Sequence, residues 1–494
     1  MGDTGDASRG PSNCAHMKRT LVLINPNRMT PVVSPVALDY LFDTLVASDW
    51  QPYLLDLALV ENWQEQIEAC LDALRPEAVC LSVRNLDDCF LPSRDFCIAA
   101  VRHMVQRVRE KTDAPVIVGG SGYSIVPERG LDYLGADFGI AGDGEAALPE
   151  LLARLPGSNW LTGVPGLIWR DGETIRRNGS ALAVARTLKA SFRTFVENRR
   201  YFDEGGQVGI ETKRGCPMDC IYCADTLSKG KRTRLKQPRD VAEEFKALLG
   251  QGVTHFHLCD SEFNVPLDHA LAVCSELIRT GLNSDIRWYT YASPVPFSPE
   301  LASLMKEAGC AGIDFGVDSA DPQLLSALGR SFAPEDIKRT AEICRQSGLV
   351  FMFDLLIGGP GETRETVRHT VDFMDSIAPT RVGLSCGVRV YPGTALASRI
   401  SGMSDAERSE CLHGQVDGNE DYFEPVFYVS PELGQDVISF VASLVQGNRR
   451  FFLPVETGPE AGYNYNDNTA LVDAITQGYR GAYWDILRRL QEGE

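Results

Sequence analysis

The sequence predicts an α/β protein: a doubly wound, Rossmann-like domain, then a partial barrel of six strand-helix units, then a small, mostly helical C-terminal region. Strand-like apolar segments alternate with amphipathic helical patterns along most of the chain, which is typical of parallel sheets. The chain has 494 residues, 44% of them hydrophobic, which exceeds a single core and indicates two or three domains. We predict a disordered tail at 1–17, the first domain at 18–155, a hairpin linker at 156–200, the barrel at 201–400 and the C-terminal region at 401–494.

The first domain contains five strand-like segments, at 20–26, 51–57, 78–84, 114–120 and 138–142. Doubly wound domains bind ligands in the crevice beyond the carboxyl ends of their strands. The loop after the first strand is Asn25-Pro26-Asn27 and not a G-x-G-x-x-G turn, so a nicotinamide site is disfavoured. Glycine-rich stretches follow the fourth and fifth strands at 119–124 and 142–145. These glycines can also be plain tight turns without a ligand.

The predicted barrel strands lie at 208–213, 254–260, 286–292, 312–318, 350–357 and 381–390, with a helical pattern after each of the first five. Six units form an incomplete version of the eight-fold (β/α) barrel, open on one side. In such barrels the chemistry is carried by the loops at the C-terminal ends of the strands. Polar residues follow several of these strands, although each can also be ordinary capping or turn chemistry.

Three cysteines stand in one short loop after the first barrel strand, spaced C-x3-C-x2-C at Cys216, Cys220 and Cys223. Three thiolates can hold three irons of a [4Fe-4S] cluster and leave the fourth iron open for a small ligand. A zinc site fits less well because the loop lacks a nearby fourth ligand and paired C-x2-C spacing. Gly215 and Pro217 argue against a helix through the first cysteine.

Composition limits the remaining possibilities. The other eleven cysteines are scattered, several in apolar stretches, and indicate reduced thiols in a cytoplasmic protein. The net charge of -19 disfavours nucleic-acid binding, which needs basic surfaces. We find no apolar run of membrane-spanning length and no signal peptide, so we predict no membrane partner. The expected substrate is a small molecule or a peptide.

The cysteine spacing, with Tyr222 before the last cysteine, resembles the radical S-adenosylmethionine (radical SAM) superfamily. The resemblance implies that the open iron chelates S-adenosylmethionine and that an electron from the cluster cleaves it to a 5'-deoxyadenosyl radical. It also implies contacts with the methionyl amino group after the second strand, the ribose after the fourth and the adenine after the fifth. The S-adenosylmethionine residues implied here are Tyr222, Asp260, Ser261, Glu262, Asp318, Ser319, Ile357, Gly358, Gly359 and Gly361.

The first domain resembles the cobalamin-binding domain that precedes the barrel in one branch of this superfamily, in the phrases LINPN, SPVALDYL, VIVGGSG and GDGE. No histidine follows the first strand, so cobalamin would lack that axial ligand, and His103 is expected to be a surface or helix-packing residue on a helix. Arg84 either faces the lower side of the corrin or pairs with Asp87 or Asp88. The implied cobalamin residues are Asn25, Pro26, Asn27, Ser82, Arg84, Asn85, Gly119, Gly120, Ser121, Gly142, Gly144 and Glu145.

The segment 387–397, which ends the sixth strand, also recurs in this branch and makes Arg389 and Tyr391 the candidate catalytic residues. The C-terminal region is rich in aromatic residues and is predicted to close the open side of the barrel, near the substrate. Packing without substrate contact is the alternative for these residues. The C-terminal candidates are Tyr463, Tyr465, Arg480, Tyr483 and Trp484.

These resemblances imply a cobalamin-dependent radical SAM methyltransferase that transfers a methyl group to an unactivated carbon, or less often to phosphorus, of a natural-product intermediate. Its cofactors would be a [4Fe-4S] cluster, S-adenosylmethionine and cobalamin. An external electron donor of the flavodoxin or ferredoxin type would reduce the cluster. Two alternatives stay open: a radical SAM cyclase or dehydratase with a cobalamin-free first domain, and a non-catalytic cobalamin or iron-sulfur sensor.

Overall fold

The computed structural model describes residues 18–46, 48–155, 161–180, 182, 187–453, 465 and 467–493. The predicted disordered tail at 1–17 and the candidate Tyr463 lie outside these residues. The described part holds two large sheets of seven strands each, one in the N-terminal domain and one in the partial barrel. None of its helices is long and apolar enough to cross a membrane.

The N-terminal sheet has five parallel strands and an antiparallel pair at one edge. Its elements are β1 (Arg19–Asn25), α1 (Val36–Leu45), β2 (Trp50–Asp56), α2 (Trp63–Leu74), β3 (Ala78–Ser82), α3 (Cys97–Arg109), β4 (Val116–Gly119), α4 (Pro127–Leu134), β5 (Phe138–Ile140), α5 (Gly144–Arg154), β6 (Leu167–Asp171) and β7 (Thr174–Arg177). The strand order is β2-β1-β3-β4-β5-β6-β7. Because β6 pairs antiparallel with β5, the predicted hairpin extends this sheet and is not a separate linker.

Strand β1 shows why this sheet is covered on both faces. Leu21, Val22, Leu23 and Ile24 are all fully buried. Successive side chains of a strand point to opposite faces. Leu21 and Leu23 belong to the hydrophobic core that continues into the barrel, whereas Val22 and Ile24 belong to a second core made by the N-terminal domain itself. A continuous apolar run is therefore required here.

The barrel region follows. Its elements are β8 (Thr187–Leu188), α6 (Asn198–Gly205), β9 (Val208–Ile210), β10 (Lys213–Arg214), α7 (Asp225–Ser228), β11 (Arg234–Lys236), α8 (Pro238–Gly250), β12 (His255–Leu258), α9 (Leu267–Arg279), β13 (Arg287–Ala292), α10 (Pro299–Glu307), β14 (Cys310–Asp318), α11 (Pro322–Ala327), α12 (Pro334–Gln346), β15 (Phe351–Ile357), α13 (Arg364–Ile377) and β16 (Arg381–Cys386).

The C-terminal region adds short strands and helices: β17 (Val388–Arg389), α14 (Ala395–Ser401), α15 (Asp405–Cys411), β18 (Leu412–Gly414), β19 (Val426–Tyr428), α16 (Val437–Leu444), β20 (Phe451–Phe452), α17 (Thr469–Thr476) and α18 (Tyr483–Glu492). The barrel sheet has the order β20-β16-β15-β14-β13-β12-β9, and all its pairs are parallel. All six predicted strands are present. The seventh strand, β20, was not predicted, and it pairs with β16 through only two residues.

The barrel strands separate an apolar outer face from a polar interior. Ile313 and Phe315 of β14, and Phe353 of β15, pack in the core with the surrounding helices. Alternation along each strand therefore turns Asp314 and Asp354 toward the barrel interior. At one end of this interior lies α18, where the Tyr289 hydroxyl donates a hydrogen bond to Asp485 at 2.9 Å.

A buried set of charged side chains joins the two domains, and we call it the interdomain cluster: Asp39 of α1, Arg193, Lys236 of β11 and Glu244 of α8. The Arg193 Nε lies 2.9 Å from Asp39 and its Nη1 lies 3.6 Å from Glu244. The Lys236 ammonium pairs with the other oxygen of Glu244. The four side chains are at most 1% exposed, so each carboxylate is buried together with a cation.

Candidate functional site

A cavity of about 650 Å³ lies between the N-terminal domain and the barrel. Its N-terminal wall is formed by the loops after β1, β3, β4 and β5, at the carboxyl edge of the parallel sheet, where doubly wound folds bind ligands. Among the residues predicted to bind cobalamin, Pro26 does not line the cavity. Those that do are Asn25, Asn27, Ser82, Arg84, Asn85, Gly119, Gly120, Ser121, Gly142, Gly144 and Glu145.

Two glycines after β4 are needed for this wall because backbone packs directly on backbone. A Cβ at Gly120 would lie 2.4 Å from the Val83 carbonyl oxygen, and its φ of +103° already disfavours other residues. A Cβ at Gly122 would lie 2.5 Å from the Asn85 carbonyl carbon. The loops after β3 and β4 are thereby held together. Ser121 adds a hydrogen bond from its hydroxyl to the Arg84 carbonyl at 2.9 Å.

Arg84 faces the cavity and is exposed. Its Nη1 donates to the Asn85 side-chain oxygen at 3.1 Å, and within the described residues it forms no ion pair. The predicted alternative, a salt bridge to Asp87 or Asp88, is therefore wrong. Asp87 is instead bonded to Arg389, and Asp88 accepts a hydrogen bond from Ser93. The guanidinium is left available for whatever occupies the cavity.

The opposite wall comes from barrel strands and from the C-terminal region. His257 of β12 and Tyr291 of β13 line it, with their rings 5.0 Å apart. Burial lowers the pKa of His257 to about 4, with a further lowering by the Arg84 charge, so this imidazole is neutral near pH 7. The other lining residues from these two parts of the chain are Gln207, Gly209, Glu211, Arg214, Ser228, Lys229, Cys259, Ser385, Tyr465, Ala482, Tyr483 and Trp484.

Arg480, predicted near the substrate, does not line the cavity. Its guanidinium lies 5.2 Å from the Phe202 ring and 4.0 Å from Asp203, both on α6. It therefore packs the C-terminal region against the start of the barrel. His103 is exposed on α3, away from the cavity wall, so the loop after β1 provides no imidazole.

The cysteine loop is held by its neighbours on both sides. Cys216 donates its backbone N–H to the Gly230 carbonyl at 3.0 Å, and Ile221 donates to the Leu328 carbonyl at 3.1 Å. Gly329, at φ +78°, lies against the loop so closely that a Cβ would approach the Asp219 carbonyl oxygen to 2.3 Å. This packing fixes the loop before any metal is bound.

The three cysteines fit a cluster better than a single ion. All three are free thiols, and the charges of Cys216 and Cys220 both act on Cys223. Across the described residues no three His, Cys, Asp or Glu side chains converge as ligands of one metal ion. A [4Fe-4S] cluster makes a different demand, because each thiolate binds a different iron. The donor set and the single loop therefore suit the cluster that was predicted.

Arg330, which the sequence analysis did not single out, links the cysteine loop to the fourth barrel strand. Its Nη1 lies 2.9 Å from the Cys220 sulfur and its Nε lies 3.4 Å from Asp318. Tyr222 donates its hydroxyl to Asp318 at 2.7 Å, so Asp318 joins two residues of this site. Asp318 adopts a φ of +63°, which is uncommon outside glycine.

Of the residues predicted after β12, Asp260 and Ser261 are engaged in hydrogen bonds, whereas Glu262 is available to a ligand. Asp260 accepts hydrogen bonds from the Thr212 and Lys213 backbone at 2.9 and 3.3 Å and so fixes the chain that enters the cysteine loop. Ser261 donates to Asp225. Glu262 is 9% exposed and its Oε2 has no hydrogen-bond partner. Burial raises the pKa of Glu262 to about 7. An orphaned buried carboxylate suits the cationic amino group expected at this place.

The residues predicted after β14 and β15 are largely engaged in local bonds. Ser319 is fully buried beside Thr370, with the two hydroxyl oxygens 3.2 Å apart. Gly358 and Gly359 both donate their backbone N–H to Glu362. Ile357 is buried and Gly361 has a φ of +88°. None of these residues lines the cavity.

The position of Arg389 corrects its predicted catalytic role. Arg389 is 3% exposed, its Nε lies 2.8 Å from Asp87, and its other nitrogens donate to the Tyr422 and Phe423 carbonyls at 3.1 Å each. Tyr391 donates its hydroxyl to the same Asp87 at 3.0 Å. Neither residue lines the cavity. The hydrogen-bond donors of Arg389 and Tyr391 are engaged at the junction between the barrel and the N-terminal domain. This position indicates a structural role.

Two carboxylates inside the barrel were missed altogether. Asp314 and Asp354 are joined by a hydrogen bond, and burial raises the pKa of both. Their charges also act on Tyr291 and Tyr465, two residues of the cavity wall. A signal was present: each aspartate interrupts an apolar strand, in GIDFGVD and VFMFDLLI. Acidic residues in such segments are seldom buried without a reason.

Comparisons with known proteins agree with this architecture. The model of the radical SAM superfamily matches residues 210–374, and the model of the B12 binding domain matches residues 27–152. Tryptophan 2-C-methyltransferase of Streptomyces laurentii is 29% identical over 94% of this chain and 95% of that protein.

Two solved structures extend the comparison. The radical S-adenosylmethionine methyltransferase TsrM from Kitasatospora setae, with tryptophan substrate and the SAM analog aza-SAM bound, has a TM-score of 0.90 and 29% identity over 96% of this chain and 98% of that one. OxsB, a cobalamin-dependent S-adenosylmethionine radical enzyme, has a TM-score of 0.69 over 84% of this chain and 64% of that one. At 16% identity it shows the fold alone.

A B12-binding domain followed by a radical SAM barrel, with a shared cavity between them, defines a radical SAM enzyme that uses cobalamin. The chain belongs to the cobalamin-binding branch of the radical SAM superfamily. The predicted fold class, the three predicted cofactors and the predicted function class, methyl transfer, are confirmed at this level. The cyclase and sensor alternatives are not favoured.

Proposed function

We propose that this cobalamin-dependent radical SAM methyltransferase methylates a carbon of a small aromatic substrate, with tryptophan as the first compound to test. One observation carries the proposal: a single cavity runs from the loops of the N-terminal domain to an aromatic wall in the barrel. A substrate held by that wall would face the cobalamin-binding loops directly. Tryptophan is named as the substrate of the relatives that align over nearly the whole chain.

The aromatic wall is well suited to an aromatic substrate. Tyr465 and Tyr483 lie in a tilted pair with ring centroids 5.6 Å apart, and Trp484 follows directly on α18. Tyr291 is 41% exposed toward this space although its neighbours on β13 are buried. Aromatic pairs of this kind add about 0.5–1.5 kcal/mol beyond the area they bury. The wall can thus orient an aromatic substrate and exclude water from the cavity.

On the N-terminal side we assign cobalamin to the eleven cavity-lining residues found above, Arg84 among them. Within the described residues Arg84 forms no ion pair, so its guanidinium would be available to bound cobalamin. We assign the cluster to Cys216, Cys220 and Cys223, and S-adenosylmethionine to the edge that contains Tyr222, Glu262 and Asp318. When bound, these groups supply the methyl carrier, the electron and the methyl donor.

The residues of this chain then have positioning roles. Arg330 fixes Cys220 and Asp318 relative to one another. His257, neutral near pH 7, adds no charge beside the substrate. The interdomain cluster holds the two walls of the cavity at a constant separation, since its four members come from both domains. A substrate and a cofactor held in one cavity do not have to meet by diffusion before they react.

We further propose that a reduced flavodoxin or ferredoxin delivers the electron in the cytoplasm. Two basic residues of the segment after the cysteine loop, Lys231 and Arg232, are exposed, whereas Arg234 and Lys236 of the same segment are buried. Exposed basic residues on a chain with a net charge of -19 can attract an acidic partner locally. We propose that no nucleic acid binds.

The test is an anaerobic assay of the protein reconstituted with iron, sulfide and cobalamin. Tryptophan and S-adenosylmethionine with an isotopically labelled methyl group are added, and products are identified by mass spectrometry. We expect labelled methyltryptophan, together with iron and cobalt in the purified protein. Full cofactor content without methylation of tryptophan or any other aromatic amine offered would overturn the proposed substrate class.

A matched pair of cysteine variants distinguishes loss of the cluster from general destabilisation of the fold. Cys216→Ala should lose iron and all methyl transfer. Cys274→Ala, at a buried cysteine of α9 far along the chain from the loop, should keep both. Equal iron content in the two variants would show that Cys216 is not a cluster ligand.

A further inference from the structure

We propose that the side-chain oxygen of Gln207 accepts a hydrogen bond from a ring N–H group of the substrate. The compound that is methylated is then an aromatic heterocycle with such a group, an indole or a pyrrole. This inference rests on the proposed function for the aromatic class of the substrate, and it adds the polar group by which that substrate is recognised. Gln207 lies directly before β9, the first strand of the barrel sheet.

Gln207 belongs to the wall of the cavity. Val208 and Ile210 of β9 are buried in the core, so alternation along the chain turns Gln207 and Gly209 toward the barrel interior. Both residues line the cavity. Gly209 is in register with His257 of β12, which lines the cavity as well. The Gln207 carboxamide therefore lies on the barrel side of the cavity, on the same face as the His257 imidazole.

The aromatic wall is held beside Gln207 by a backbone contact. Gly481 donates its N–H to the carbonyl oxygen of Gly206, the residue before Gln207, at 3.1 Å. Tyr483 and Trp484 follow Gly481 at the start of α18, and both line the cavity together with Gln207. An aromatic ring that packs on Tyr483 and Trp484 would thus have the Gln207 carboxamide beside it.

The Gln207 oxygen lacks a hydrogen-bond donor. Its Oε1 is buried and accepts no hydrogen bond from any residue that the structure describes. Buried polar atoms in folded proteins are nearly always hydrogen-bonded, so an unpartnered oxygen in a cavity wall indicates a ligand that supplies the donor. The terminal torsion of a glutamine side chain is broad, and rotation about it turns this oxygen into the cavity.

The surroundings favour an uncharged donor. Burial and the charge of Arg84 lower the pKa of His257 to about 4, so its imidazole is neutral, and the Arg84 charge also acts on Tyr483. An ammonium group placed here would be repelled by the Arg84 guanidinium, whereas a ring N–H carries no charge. A ring N–H also lies in the plane of its ring. It therefore keeps its direction when the ring packs on the aromatic wall.

The test is direct binding, by calorimetry, to the protein reconstituted with cluster and cobalamin. Two pairs of probes differ in replacing the ring N–H by sulfur: tryptophan with 3-(3-benzothienyl)alanine, and indole-3-acetate with benzothiophene-3-acetate. Wild type should prefer the N–H member of a pair. Gln207→Leu, which keeps a side chain of similar size, should weaken binding of the N–H member about 10-fold and leave the sulfur analogue unchanged.

A second variant tests the direction of the hydrogen bond. Gln207→Glu keeps two acceptor oxygens and removes the amide donor, so it should retain the preference for the N–H probe. Loss of that preference in Gln207→Glu as well as in Gln207→Leu would mean that Gln207 donates to its ligand, and would overturn the inference. Gln346→Leu, at an exposed position of α12, is the matched control and should bind both members of each pair as wild type does.

The remaining outcomes separate this inference from the proposed function. Wild type without preference for the N–H member in either pair, including no binding of any probe, overturns the inference. So does loss of cobalamin absorbance in Gln207→Leu, which would assign Gln207 to the cofactor. Methylation of tryptophan with an unaltered N–H preference in Gln207→Leu overturns the inference but leaves the proposed function intact. An N–H preference that depends on Gln207 supports the inference even where tryptophan is not methylated.

Discussion

Two buried groups of acidic side chains differ in the groups to which they are bonded. In the interdomain cluster, Asp39 and Glu244 are each bonded to a buried cation. In the barrel interior, Asp314 and Asp354 face each other, and one oxygen of Asp314 has no partner. A carboxyl bonded to a cation is stabilised in its charged form, whereas each of two facing carboxyls disfavours the charged form of the other.

The largest expected effect comes from removing a cation of the interdomain cluster. Arg193→Met leaves Asp39 without its partner in a fully buried place, and should lower the free energy of unfolding by about 3–5 kcal/mol. Urea denaturation followed by fluorescence measures it. Arg199→Met, which removes an exposed arginine from the neighbouring helix, is the matched control and should change little. Equal midpoints for the two variants would mean that the cluster does not hold the domains.

Glu362 is another buried acid, and its Oε2 accepts hydrogen bonds from two backbone N–H groups. Its pKa is raised to about 8 by burial, against 4.5 in an unfolded chain. The stability that its neutral form contributes is therefore complete below pH 4.5 and is lost as the pH rises toward 8. Wild type should lose a few kcal/mol relative to Glu362→Gln as the pH rises from about 5 to about 8.

This pH effect is measured as the difference in the free energy of unfolding between wild type and Glu362→Gln at each pH. The contributions of the other titratable groups are common to both proteins and cancel. Glu335→Gln, at an exposed position of α12, should show no such trend. A difference between wild type and Glu362→Gln that stays constant with pH would contradict the assignment of a raised pKa to Glu362.

Substitution of Arg389 tests whether this residue has a structural or a catalytic role. Arg389→Met removes the cation bonded to Asp87 and the donors to the Tyr422 and Phe423 carbonyls, and should cost about 2 kcal/mol of stability. In the folded fraction at low temperature, kcat and KM should be unchanged because Arg389 does not reach the cavity. A fall in kcat with unaltered stability would restore the catalytic role that the sequence indicated.

The smallest effect is expected at the pair of Asp314 and Asp354. Asp314→Asn removes one of two facing carboxyls that disfavour each other's charged form, and should raise the free energy of unfolding by about 1 kcal/mol. Thermal unfolding without substrate measures this gain. A loss of stability instead would show that the pair is a structural element like the interdomain cluster, and the contrast between the two groups would disappear.

Much of the fold was predictable from local pattern. The six barrel strands and the five parallel strands of the first domain were found because each is an apolar run bounded by polar turns. Strand β20 was not predicted because its two residues are too few to show a periodic pattern. The hairpin of β6 and β7 was predicted as a hairpin within 156–200, but its pairing with β5 depends on an edge that only the folded sheet presents.

The candidate site was predictable to a lesser degree. Cys216, Cys220 and Cys223 are close in sequence, so their spacing alone indicates a cluster, and the loop geometry agrees with it. Arg330 and Asp318 come from distant segments, and no local signal connects them with Cys220. Arg389 illustrates the opposite error, since a motif that recurs beside a site does not tell whether its side chain points toward that site.

The sequence by itself determined the order of the two domains, the parallel sheets and the three-cysteine loop. Each of these depends on residues that are neighbours along the chain or on a repeating period, which composition and spacing record directly. Only the tertiary structure decided which charges are compensated. Arg193 meets Asp39 across 154 residues, whereas Asp314 meets another acid on the adjacent strand. Burial in a common interior, and not distance along the chain, determines whether a carboxyl group lies beside a cation or beside another acid.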